Sequence, residues 1–260
     1  MKQITETYGT AGDGTELHWQ ISTPDESRML PAILVLPAGE FRYFAYSGQP
    51  MLEDLAGAGY VTAVIEYHLA PPGTDMPQQH LMGFYPLQTE DVKTAVLAMR
   101  DHRWCNGKVG AVGGSAGASH AAHNCQLPPG DDGRLDCAVC LSGAYAFDDP
   151  VSLGDRRRSN FKHDVENYVG SDDLSKLHEA SPIAIVRRDC AKMALFCSNE
   201  DTMPPNQFML FVDELKRVGA QFKYKMIDQA PAQNGFTEHS FKLWDDVKTL
   251  ALNFFGTNLT

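Results

Sequence analysis

The chain has 260 residues, 43% of them hydrophobic and 21% charged, which is typical of a folded globular protein and too apolar for a disordered one. Its formal net charge of −11 repels phosphate backbones and anionic lipid surfaces, so neither nucleic acid nor a membrane is an expected partner. The N-terminus lacks an apolar leader core, and no stretch approaches the ~20 apolar residues that span a bilayer. We therefore expect a cytoplasmic protein, unless a leader was removed.

Short β-type runs alternate with helical patterns along almost the whole chain, after an opening hairpin. This order predicts one α/β domain over residues 1–260, with a mostly parallel eight-stranded sheet, helices on both faces and no large cap domain. The predicted strands are 4–9, 16–23, 32–37, 61–67, 108–113, 135–143, 192–199 and 221–227. The predicted helices are 48–60, 87–102, 116–125, 206–219 and 240–255.

Two non-periodic stretches, 69–87 and 144–190, are longer than ordinary connections. The second contains a short helical pattern at 160–170. Open α/β sheets bind their ligands at the carboxyl ends of the strands. We expect both stretches to overhang an active site there.

The segment "GGSAG" at 113–117 places Ser115 between a strand and a helix, as a nucleophile elbow requires. In such a sharp turn, a Cβ at Gly113 or Gly117 would collide with neighbouring backbone, while the serine hydroxyl projects outward. The alternative is a serine in an ordinary tight turn. The flanking strand and helix favour the nucleophile.

A nucleophilic serine needs a histidine base and an acid that orients it. His239 is the only histidine after residue 180, and it stands in a glycine-containing loop before the last helical pattern. Asp201 follows the strand 192–199 and begins an Asp-x-x-Pro turn, which favours it as the acid. Glu200 and Asp228 are the alternatives.

The oxyanion of an acyl-transfer intermediate needs backbone N–H donors. Ala116, directly after the nucleophile, is expected to supply one of them. The loop at 37–41, after the strand 32–37, is expected to supply the other.

The motifs "LPAGEF", "VIEYHLAP", "GGSAG", "EASPI", "NEDTMPP" and "TEHSF", in this order, resemble the α/β-hydrolase superfamily. Within it they are most similar to the feruloyl-esterase-like and hormone-sensitive-lipase-like carboxylesterases. The resemblance covers roughly residues 30 to 255 and specifies no substrate. It implies cleavage of small-molecule carboxylic esters through an acyl-enzyme, with no metal and no organic cofactor.

The resemblance also implies which residues carry the reaction. The nucleophile falls on Ser115, the acid on Asp201 and the base on His239. The oxyanion donors fall on three residues, Ala38, Gly39 and Ala116.

The chain departs from the family at the oxyanion loop. The usual His-Gly-Gly-Gly or Pro-Gly-Gly-Gly reads Pro-Ala-Gly-Glu here, which places the Glu40 carboxylate near a developing negative charge. Glu40 either faces solvent or contacts substrate. Phe41, Phe84 and Tyr85 lie in loops near the expected site, and they either line a substrate pocket or pack those loops.

Two other functions fit the same residues. A small amidase or peptidase would keep the fold and cleave a different bond. A binding module would keep the fold without catalysis, an alternative suggested by Ala38 and Glu40. The sequence leaves the oligomeric state open. Most of the six cysteines lie in apolar runs and predict buried free thiols in a reducing compartment.

Overall fold

The structure is a computed structural model, and it describes residues 1–43, 49–71, 82–155, 160–228 and 243–259. Eight strands form a single sheet, as the alternating pattern predicts. The strands are β1 (Lys2–Thr10), β2 (Glu16–Thr23), β3 (Leu30–Leu36), β4 (Val61–Ile65), β5 (Cys105–Gly114), β6 (Cys137–Leu141), β7 (Lys192–Ser198) and β8 (Phe222–Ile227).

The sheet is mostly parallel. Its order is β1-β2-β4-β3-β5-β6-β7-β8, and β2 runs antiparallel to both of its neighbours. The six strands β3 to β8 all pair in parallel, so their carboxyl ends share one edge. The predicted opening hairpin and the predicted parallel sheet are both confirmed.

Eight helices connect or follow the strands in the described part of the chain. They are α1 (Gln49–Gly57), α2 (Leu87–Arg100), α3 (Ala116–Cys125), α4 (Pro150–Leu153), α5 (Asn160–Val169), α6 (Leu174–Ala180), α7 (Pro205–Val218) and α8 (Leu243–Asn258), with a 3-10 turn at Pro182–Ile185. The helix predicted at 160–170 is confirmed as α5. Among the described residues, no helix has both the length and the apolar character needed to cross a membrane.

Helices cover both faces of the sheet. Successive side chains of a strand point to opposite faces, so Leu34 of β3 packs into a core with α2, α3 and α7, while Ile33 packs into a second core with α1 and α8. Both side chains are fully buried. Strands buried on both faces account for the nearly continuous apolar runs of β3, β6 and β7.

A third hydrophobic cluster lies beyond the carboxyl ends of the strands. It joins Phe41, Ala116 and Met203, which follow β3, β5 and β7, to Phe161 and Tyr168 of α5. The stretch 144–190 therefore contributes α5 and α6 to this edge of the sheet. Residues 72–81 of the stretch 69–87 lie outside the described residues. The single-domain organisation stays a prediction.

All six cysteines are free and buried, as their apolar surroundings predict. Burial raises the pKa of the Cys125, Cys137 and Cys140 thiols well above the ordinary value. Cys137 and Cys140 lie on opposite faces of β6, in two different cores. They behave as small apolar residues of the core.

Candidate active site

Ser115 lies at the junction of β5 and α3, as the motif predicts. Its backbone has φ 50° and ψ −117°, outside the helical and strand regions, and its N–H donates to the Leu141 carbonyl of β6 at 2.9 Å. The residue is 8% exposed. It stands at the N-terminus of α3, where the helix dipole favours a developing negative charge.

The two glycines of the motif make this turn possible by close packing. A Cβ on Gly113 would lie 2.3 Å from the backbone of Gly117, and a Cβ on Gly117 would lie 2.1 Å from the Leu36 carbonyl oxygen and 2.8 Å from that of Pro37. Such distances are not tolerated between non-bonded atoms. The first turn of α3 is thereby held against the end of β3, beside the loop at 37–41.

Asp201 lies just past the end of β7 and is 2% exposed. One carboxylate oxygen, Oδ2, accepts a hydrogen bond from Ser142 Oγ at 2.5 Å, and the other, Oδ1, accepts one from the Met203 N–H at 3.1 Å. Of the alternative acids, Glu200 is partly exposed, and Asp228 is exposed and accepts a bond from Asn199. Burial at the shared edge sets Asp201 apart from both.

The structure thus brings Ser115 and Asp201 to the same edge of the sheet, separated by the single strand β6. His239, the predicted base, lies outside the described residues. Within the described ranges, no group of three or more histidine, cysteine, aspartate or glutamate side chains is arranged to hold a metal.

The loop at 37–41 is fixed by backbone and side-chain contacts. Tyr67 donates its hydroxyl to the Pro37 carbonyl at 2.5 Å. Gly39 has φ 142°, and a Cβ there would lie 1.7 Å from the Tyr43 carbonyl oxygen, so this position requires glycine. Ala38 is 6% exposed and Ala116 is fully buried. The predicted oxyanion donors therefore lie on two segments that approach each other at Gly117.

The Glu40 carboxylate is paired with a cation. Arg42 donates from Nε to Glu40 Oε2 at 2.9 Å, and a second guanidinium nitrogen contacts the same oxygen. The Glu40 side chain is 24% exposed. Glu40 therefore differs from a freely solvated loop acid, and Arg42 compensates its charge beside the oxyanion loop.

A third ionisable group, the Asp164 carboxyl of α5, approaches this pair. Asp164 Oδ1 lies 3.9 Å from Arg42 Nε, and among the described residues this buried oxygen has no hydrogen-bond partner. Burial, followed by repulsion from Glu40, raises the pKa of Asp164 to about 8, although Arg42 opposes the shift. Burial therefore favours the protonated form of the Asp164 carboxyl.

Phe41 packs the loop. It is 3% exposed, stacks on Tyr168 with ring centroids 4.3 Å apart, and meets Phe147 edge to face. Tyr85 also packs edge to face on Tyr168, whereas Phe84 is 46% exposed. These contacts favour packing for Phe41, and the substrate-binding roles of Phe41, Phe84 and Tyr85 stay predictions.

The sequence did not single out the residues that support this loop. Gln88 of α2 donates from Nε2 to the Phe41 carbonyl at 2.9 Å, and its Oε1 lies 2.9 Å from His120 Nε2. Burial lowers the pKa of His120 to about 3, so the ring is neutral and donates to Gln88 from Nε2. The one signal in the sequence that could have indicated these contacts is Gln88 itself, a polar residue in the first turn of α2.

We expect Gly117→Ala to destabilise the fold by about 2 kcal/mol or more, because the added Cβ forces α3 away from β3. Gly57→Ala is the matched control. Gly57 ends α1, and a Cβ there meets nothing within 4 Å. Urea unfolding of both variants measures the difference. Equal stabilities would contradict the close approach at Gly117.

We expect Asp164→Asn to stabilise the protein by about 5 kcal/mol at pH 8 and to have little effect at pH 4. With a folded-state pKa of about 8, Asp164 in the folded wild type keeps its proton over most of the range from pH 4 to pH 8. In the unfolded chain the same carboxyl loses its proton near pH 4. Wild-type stability therefore falls as the pH rises through this window. Unfolding at both pH values tests this, and a gain that is equal at pH 4 and pH 8 would contradict the buried-acid explanation.

No protein-family model matches the chain. A curated relative, Esterase LipC of Mycobacterium tuberculosis (strain ATCC 25618 / H37Rv), is 26% identical over an alignment of 247 residues, and the match covers 84% of this chain and 55% of LipC. The chain therefore spans about half the length of that relative.

Solved esterase structures share the fold at low identity. Thermogutta terrifontis esterase 2 phosphonylated by sarin gives a TM-score of 0.77 at 19% identity, with 97% of this chain and 94% of that chain covered. The acetyl ester-xyloside bifunctional hydrolase from Caldicellulosiruptor lactoaceticus gives 0.75 at 18% identity, with 98% and 96% covered. With its sheet order and the turn at Ser115, the chain therefore has the α/β-hydrolase fold.

Proposed function

We propose that the chain is a serine esterase that cleaves small-molecule carboxylic esters through an acyl-enzyme. The observation that carries this proposal is the sharp turn at Ser115. This buried serine has φ 50° and stands at the N-terminus of α3, after β5, while Asp201 follows β7, and only β6 lies between those two strands. The similarity to Esterase LipC supports the reaction class.

The proposed reaction assigns one role to each predicted residue. Ser115 Oγ attacks the ester carbonyl carbon while His239 takes its proton, and Asp201 orients and stabilises the resulting imidazolium. The backbone N–H groups of Ala116 and of the loop at Ala38 and Gly39 bind the oxyanion. His239 then protonates the leaving alcohol. Water, deprotonated by the same histidine, hydrolyses the acyl-enzyme and restores Ser115.

Arg42 supports catalysis over simple binding as the function of this site. The binding-module alternative rests partly on the Glu40 carboxylate, which would oppose an oxyanion if it were unpaired. Because Arg42 pairs with Glu40, that objection is weakened. The free, buried state of all six cysteines supports the proposed cytoplasmic location, since disulfides are rare in reducing compartments.

We expect Ser115→Ala to lower the turnover of p-nitrophenyl acetate and butyrate by about a thousandfold or more, because the nucleophile is lost. Ser22→Ala is the control. Ser22 is a buried serine on β2 that is hydrogen-bonded to Thr62, and β4 and β3 lie between β2 and the strand that leads to Ser115. A fluorophosphonate should add to Ser115 in the wild type, as read by peptide mass. The 4-nitroanilide of the same acyl group should react far more slowly than the ester.

Three outcomes would contradict parts of this proposal. A wild-type protein that neither hydrolyses esters nor reacts with the fluorophosphonate favours a binding module. Faster cleavage of the anilide than of the ester favours an amidase. Full activity in Ser115→Ala removes Ser115 from the reaction.

We expect Arg42→Gln to lower kcat/KM about tenfold, because it leaves the Glu40 carboxylate unpaired near the oxyanion loop. Adding Glu40→Gln to this variant should restore most of the loss, while Glu40→Gln alone should change little. Measuring ester hydrolysis by the four proteins completes a double-mutant cycle. A double variant as slow as Arg42→Gln would show that charge compensation is not what Arg42 provides.

A further inference from the structure

Ser142 occupies the position between the candidate nucleophile and the candidate acid. It directly follows β6, the strand that separates β5 from β7. Its N–H donates to the Phe196 carbonyl of β7 at 2.8 Å, and the preceding Leu141 carbonyl accepts from the Ser115 N–H. The backbone at Ser142 is thus tied to both flanking strands.

The Ser142 side chain is aimed at Asp201. Its Oγ donates to Asp201 Oδ2 at 2.5 Å, and it also lies 3.9 Å from Cys197 Sγ. Ser142 is 1% exposed and Asp201 is 2% exposed. Bulk water therefore does not compete readily for this hydrogen bond.

The other Asp201 oxygen contacts the turn that follows. Oδ1 accepts from the Met203 N–H and, at 3.3 Å, from Thr202 Oγ1. The terminal torsion of an aspartate is soft, so the hydrogen bonds to its oxygens decide how the carboxylate is rotated. The Ser142 hydroxyl reaches Oδ2 from the end of a different strand, and its hydrogen bond favours one rotation of the carboxylate.

The backbone of Ser142 is strained. Its φ is 49°, a conformation that glycine adopts without cost and that serine adopts only at a cost in stability. Only four non-glycine residues have positive φ within the described ranges, namely Glu40, Phe41, Ser115 and Ser142. All four follow the carboxyl ends of β3, β5 or β6. The strain is confined to the edge that carries the candidate site.

We propose that Ser142 is a positioning residue, whose hydroxyl sets the orientation of the Asp201 carboxylate toward the base. The inference rests on the proposed function. It explains why a serine stands where the backbone favours glycine. Ser142 does not contact substrate in this proposal, and its effect on turnover passes through Asp201.

The test compares Ser142→Gly and Ser142→Ala with Ser22→Ala, the buried serine distant from the site. Ser142→Gly suits the local backbone and should be at least as stable as the wild type, so it remains folded if Ser142→Ala does not. Both should lower kcat for p-nitrophenyl butyrate about tenfold with little change in KM, because a hydrogen bond to a charged group is lost. Ser22→Ala should match the wild type.

The pH profile separates positioning from a structural role. A carboxylate that is turned away from the base stabilises the imidazolium less, so the acid limb of kcat/KM should move to lower pH in both Ser142 variants. The inference is overturned if Ser142→Gly keeps the wild-type kcat, or if its acid limb stays in place or moves to higher pH. If the wild type itself neither hydrolyses the ester nor reacts with a fluorophosphonate, the proposed function fails and the inference fails with it.

Discussion

The contact between the N-terminus of α3 and the end of β3 is the constraint on which the rest of the site depends. At Gly117 the helix backbone lies so close to the Leu36 and Pro37 carbonyls that no side chain fits between them. This approach brings Ala116 beside the loop at 37–41. It also forces the chain to turn sharply at Ser115, because this single residue lies between the end of β5 and the start of α3. One steric condition therefore positions both the serine and the two segments expected to bind an oxyanion.

Strand β6, which lies between β5 and β7, connects Ser115 with Asp201. Ser115 is hydrogen-bonded to the end of β6, and Ser142, the next residue of that segment, is hydrogen-bonded to β7 and to Asp201. The candidate nucleophile and the candidate acid are thus connected by backbone ladders, which are rigid on the scale of a side chain. The loops above them are held by a separate set of contacts, in which Phe41 stacks on Tyr168 of α5. The site combines a stiff sheet edge with an aromatic cluster that covers it.

Periodicity and short motifs predict the features that depend on local sequence. Apolar runs and glycine spacing predict all eight strands, a mostly parallel sheet, the turn at Ser115 and the buried cysteines. Contacts between distant residues do not. Tyr67 reaches Pro37 across 30 positions and Ser142 reaches Asp201 across 59, and neither spacing leaves a pattern in the chain. The pairing of Glu40 with Arg42 depends on positive φ at Glu40 and Phe41, which residue type alone does not indicate.

The strained backbone at this edge bears on any attempt to make the protein more robust. A design procedure that scores each residue against its own φ and ψ would select glycine at Glu40, Phe41, Ser115 and Ser142. Each replacement would relieve local strain, and each would remove a side chain that pairs a charge, packs the loop, supplies the candidate nucleophile or contacts the candidate acid. Thermal resistance is therefore better sought in the two cores that flank the sheet or on the outer helix surfaces.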